Sequence, residues 1–90
     1  MTIEDTTKIL TTIKIAYPNS FKGISRDEAQ KTIVLWQELL QDCNAVAVTL
    51  AVKSWISKEK FAPTIADVKT KIAEVKENER KSMWEDLYDN

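Results

Sequence analysis

Ala45-Val46-Ala47-Val48-Thr49-Leu50-Ala51-Val52-Lys53-Ser54-Trp55-Ile56-Ser57 admits two readings, and the choice between them decides the fold. Val46, Val48, Leu50 and Val52 alternate, as a half-buried strand does. The intervening positions include Ala47 and Ala51, which suit a strand poorly, and no other segment reads as a strand to pair with. Trp55 and Ile56 continue a helical stripe instead. The spacing therefore predicts a helix from Ala45 to about Ser57. Lys53 is its only charge, so it is apolar nearly all round and is expected to be the central, most buried helix.

Working outward, four places carry a hydroxyl residue with an acid three positions on. They are Thr2 with Asp5, Ser25 with Glu28, Thr64 with Asp67, and Ser82 with Glu85. The hydroxyl can accept a free N–H of the first turn, and the acid can accept the N–H of the hydroxyl residue. The acid's charge also complements the positive helix end. The first helix is expected from Ile3 to about Tyr17, with Ile3, Ile9, Leu10, Ile13, Ala16 and Tyr17 on one face. Pro18 stops it, because the residue before a proline is pushed out of the helical region. A second helix, Arg26 to about Gln41, buries Ala29, Ile33, Trp36, Leu39 and Leu40. Asn44 is a candidate cap for the third helix. A fourth opens at Thr64 after the Lys58–Pro63 loop, with Ile65, Val68, Ile72 and Val75 three and four apart. Trp36 and Trp55 both fall in the apolar stripes and are expected in the core; Tyr17 and Phe61 are expected to pin their loops.

The totals agree with a small all-α bundle of four main helices plus a short amphipathic C-terminal segment. One glycine and two prolines in ninety residues argue against a turn-rich β fold. Thirteen basic and fourteen acidic residues are balanced, with no basic block. That counts against direct nucleic-acid binding, which draws much of its affinity from phosphate neutralisation. The longest nearly uncharged stretch, Cys43 to Val52, is too short to span a bilayer, so no membrane contact is expected. A lone cysteine, Cys43, makes no internal disulfide and fits a reducing cytosol.

Catalytic chemistry lacks its parts, and the chain is read as a non-enzyme without cofactor or metal. There is no histidine for acid–base work, no Cys/His set for zinc, and no glycine-rich phosphate loop. The paired acids Glu4/Asp5, Asp27/Glu28 and Glu85/Asp86 sit at helix starts, where capping accounts for them.

Three features point to binding instead. Ile15 lies far from the first stripe, and Val34 sits among polar positions of the second helix. The third is the tail. After Val75 the stripe gives way to Lys76-Glu77-Asn78-Glu79-Arg80-Lys81, and then Met83, Trp84, Leu87 and Tyr88 appear among Glu85, Asp86 and Asp89. Trp84 and Tyr88 share a face at i, i+4, and aromatic anchors of this kind are common in interface hot spots. The expected division is a bundle domain over 1–76 and a tail over 77–90, helical on docking.

Ala16-Tyr17-Pro18, Leu35-Trp36 with Leu39-Leu40, Ala51-Val52 with Trp55-Ile56, and Phe61-Ala62-Pro63-Thr64-Ile65 together resemble the loader and inhibitor proteins of bacteriophage replicative helicases, over roughly residues 1–75. The resemblance implies a helical N-terminal domain and a C-terminal segment that contacts the helicase. It also implies a role in holding a hexameric helicase inactive and in delivering it to an origin-bound replisome organiser. The C-terminal segment here is short, which weighs toward inhibition over full loading. A host AAA+ helicase loader, or another host protein, is the alternative target. A helix-turn-helix DNA-binding regulator is the alternative of a different class. It is disfavoured because the third helix offers valine, alanine and leucine where base edges require polar side chains.

Overall fold

The computed structural model describes residues 1–75. Its helices are α1 (Ile3–Ala16), α2 (Arg26–Leu39), α3 (Ala45–Lys58) and α4 (65–75), and there is no strand among the described residues. The alternating valines of α3 are thus helical. Asn44 settles its start: the Oδ1 atom accepts the N–H groups of Val46 and Ala47 at 2.8 and 3.4 Å.

Two of the hydroxyl–acid pairs form complete capping boxes. Thr2 Oγ1 accepts from the Asp5 N–H at 3.0 Å while the Asp5 carboxylate accepts from the Thr2 N–H at 3.2 Å. Thr64 and Asp67 do the same at 3.1 and 2.9 Å. Ser25 makes the first half, accepting from Glu28 N–H at 3.1 Å. Ser82 and Glu85 lie outside the described residues. α1 ends where Pro18 requires: Tyr17 leaves the helix at φ −127° while its N–H still reaches the Ile13 carbonyl at 2.8 Å. The connection to α2 turns through Gly23, whose φ of +80° is one that side-chain-bearing residues rarely adopt.

The Thr2 N–H and then the Thr2 hydroxyl hold the Asp5 carboxyl below its ordinary value. A carboxyl depressed in the folded state stabilises fully above its unfolded value and ceases to do so as pH falls through the folded one. Thr2→Ala is therefore expected to lower Tm by roughly 5 °C at neutral pH, with the gap from the parent protein narrowing in strong acid. Thermal melts across the acid range check this; a gap independent of pH would contradict it.

The core is contributed by all four helices: Ile9, Leu10 and Ile13; Trp36, with Leu40 at the α2 cap; Val48, Ala51 and Val52; Val68 and Ile72. Thr6, which the apolar stripe did not include, is also fully buried. Burial there is tolerable because its hydroxyl donates to the Thr2 carbonyl at 2.9 Å.

Three expectations are corrected. α1 packs against both α2 and α3, and α3, expected to be buried nearly all round, is not. One edge of α3 faces solvent, with Val46 67% and Leu50 51% exposed. A domain this small cannot surround an apolar helix on all sides. Leu39, placed in the core stripe, is 45% exposed at the last turn of α2. Trp55 is only half buried. Its indole N–H donates to the Phe61 carbonyl at 2.8 Å, and its ring meets Phe61 edge-on at 5.5 Å, so it fastens the α3–α4 loop rather than filling the core. Trp36, by contrast, is buried as expected.

Candidate partner-binding surfaces

Among the described residues the candidate sites are exposed surfaces and shallow grooves. No group of three or more His, Cys, Asp or Glu among them could hold a metal ion. Cys43 is free and half buried against the core. No described helix is long and apolar enough to cross a membrane.

Of the residues picked from sequence, Ile15 stands on α1 at 75% exposure, half a turn away from the stripe of Thr6, Ile9, Leu10 and Ile13. Val34, at 46%, stands on α2. Val34 has company that sequence reasoning missed: Leu35 and Leu39 are exposed on the same helix, and Val46 and Leu50 on the next. The signal was present in the spacing. With Trp36 and Leu40 fixing the buried side of α2, positions 34, 35 and 38 fall on the opposite arc and position 39 at its flank. A shallow crease of about 390 Å³ runs along that arc, lined by Asp27, Gln30, Lys31, Val34, Leu35 and Glu38.

A smaller apolar groove of about 120 Å³ lies between α1, the loop after it and α2, with Leu10, Phe21, Ile24, Ala29 and Ile33 among its walls. Thr7, Thr11 and Thr32 also line it. Their hydroxyls donate to the Ile3, Thr7 and Glu28 carbonyls at 2.8, 2.7 and 2.8 Å, so their donor hydrogens are satisfied within the helices.

At the other end of α1, Tyr17 ties two loops together: its hydroxyl donates to the Glu59 carbonyl at 2.8 Å. Loss of solvation and then the nearby Glu59 carboxylate raise its phenol above the ordinary value. A phenol raised in the folded state supports the fold fully below its unfolded value and ceases to do so as pH climbs through the folded one. Tyr17→Phe is expected to cost about 1 kcal/mol at neutral pH and to blunt the alkaline loss of stability. Urea titrations of both proteins at neutral and strongly alkaline pH would show it; equal curves at both would not fit.

Residues Trp84, Glu85, Asp86, Leu87 and Tyr88, the other site residues expected from sequence, lie outside the described residues.

Residues 1–69 match the family model for the N-terminal domain of the phage helicase loader and inhibitor protein. The chain belongs to that family. It is the family that the Tyr-Pro, Trp and Phe-Ala-Pro-Thr-Ile landmarks resembled. The match covers α1, α2 and α3 and runs through the first turn of α4. The family's N-terminal domain is an adaptor, which is consistent with surfaces that offer apolar and charged contact. No curated protein and no solved structure matches the chain.

Proposed function

We propose that the chain is a phage replication adaptor that binds the replicative hexameric helicase in the cytoplasm of the bacterial host and inhibits it. The family match over residues 1–69 is the observation that carries this reading. In this reading the bundle, residues 1–76, is the scaffold, and the tail, 77–90, makes the main contact. Trp84, Leu87 and Tyr88 anchor, while Glu85 and Asp86 steer toward a basic surface. Ile15 and Val34, exposed on α1 and α2, belong to the secondary contact. The replisome organiser is the further partner, met when the helicase is handed over.

The test is a titration of the full chain into the helicase while DNA-stimulated ATP hydrolysis is followed. Hydrolysis should fall to a plateau at a fixed ratio of chain to hexamer, and the chain alone should hydrolyse no nucleotide. Unchanged hydrolysis at saturation, or turnover by the repurified chain alone, would refute inhibition by an adaptor.

A further inference from the structure

Five of the eight large apolar side chains exposed among the described residues lie within one run of chain, Val34, Leu35 and Leu39 on α2 and Val46 and Leu50 on α3. Single exposed aliphatics are ordinary; three on the solvent side of one fourteen-residue helix are not dispersed in that way. Helix formation does not require them either. Val34 is β-branched and gives a poorer helix than the lysine, glutamine or glutamate that would serve at a solvent-facing position.

The charges on this face select what could cover it. Lys31 is engaged with Asp27 at 3.2 Å. Glu38 lies between Val34 and Leu35 around the helix, and Asp42 follows in the turn after Leu39. Neither acid is in an ion pair among the described residues. The face is therefore apolar with an acidic edge. The tail, 77–90, is acidic on balance as well, with Glu77, Glu79, Glu85, Asp86 and Asp89 against Arg80 and Lys81. Like charges directly opposed disfavour association, so the chain's own tail is a poor occupant.

We propose that the outer face of α2 is a second docking surface, built from Val34, Leu35 and Leu39 with Glu38, and with Asp42 in the turn that follows the helix. Its occupant is an amphipathic helix of the replication partner, apolar on one face and flanked by lysine or arginine. The proposal rests on the helicase-binding reading and deepens it. The tail and the α2 face, having one chemistry, engage basic-rimmed apolar surfaces of the same partner. A helix of fourteen residues is about 21 Å long, enough to receive three turns of a partner helix in the helix-in-groove manner.

The experiment uses the full chain and the purified hexameric helicase, with affinity read by surface plasmon resonance and folding by thermal melting. One variant carries Leu35→Gln with Leu39→Gln, both changes to a good helix former at exposed positions. A second carries Val34→Gln with Glu38→Lys, so that the test survives if the first is poorly folded. Each should weaken binding by about tenfold or more with little change in Tm. The loss in the Glu38→Lys variant should shrink as salt rises, because it is partly a charge effect. If the parent chain binds and both variants bind equally well, the α2 face is not a docking surface, and the helicase reading stands. If the parent chain does not bind the helicase, that reading fails and this one with it. If the parent is a dimer in sedimentation, the variants are monomers and helicase affinity is unchanged, then a second copy covers the face and the proposal is overturned.

Discussion

Leu40→Ala is expected to reduce the unfolding free energy by about 3–4 kcal/mol, the upper part of the range for a leucine removed from a closed core. Leu40 is fully buried where α2 gives way to the turn before α3, and it joins the cluster that holds Trp36, Val48 and Val52. Its backbone is also fixed: the N–H donates to Trp36 at 3.0 Å, and the carbonyl accepts from Cys43 at 2.9 Å. The cavity left behind therefore has little freedom to collapse. For a domain of this size, with roughly 5–10 kcal/mol in total, the variant stands near the threshold of folding at 37 °C. Trp55→Ala provides the contrast. It loses a hydrogen bond and an edge-on ring contact at a half-exposed site. The expected cost is about 1–2 kcal/mol despite the larger side chain. Urea titrations of the two variants rank them; Trp55→Ala costing as much as Leu40→Ala would mean the core has been misplaced.

The second large effect is on binding. The double change Trp84→Ala with Tyr88→Ala is expected to weaken helicase affinity by about thirtyfold or more, as when a hot-spot aromatic worth over about 2 kcal/mol is truncated. Tm should stay unchanged, because the apolar stripe of α4 ends at Val75 and six polar residues intervene. Association should also slow as salt rises, since Glu85, Asp86 and Asp89 act on approach. A fall in Tm with no loss of affinity would assign Trp84 and Tyr88 to the bundle, and the contact would then have to be made by α1 and α2.

Most of the fold was legible because helix starts are local chemistry. Thr2 with Asp5, Thr64 with Asp67 and Asn44 each announce a first turn through groups a few residues apart, and each does so in the structure. The stripes of α1 and α4 located Ile9, Ile13, Val68 and Ile72 for the same reason: periodicity of 3.6 residues is a property of one segment. Burial along an apolar helix is decided elsewhere. Nothing within α3 distinguishes Val48, fully buried, from Val46, which is 67% exposed. That difference comes from where the neighbouring helices lie. Trp55 was misjudged similarly, since its place depends on the path of the loop that brings the Phe61 carbonyl to it. The candidate surface was half visible: Val34 stood out among polar neighbours, whereas Leu35 and Leu39 passed as core or motif residues until Trp36 and Leu40 fixed the buried side.

The most direct measurement is size-exclusion chromatography of the full chain with the replicative hexameric helicase, run with and without nucleotide, and in parallel with the host AAA+ loader. The account predicts co-elution with the helicase at a fixed stoichiometry and no complex with the loader. Elution of the chain apart from the helicase in every nucleotide state would contradict it, and co-elution with the loader alone would move the target to that protein.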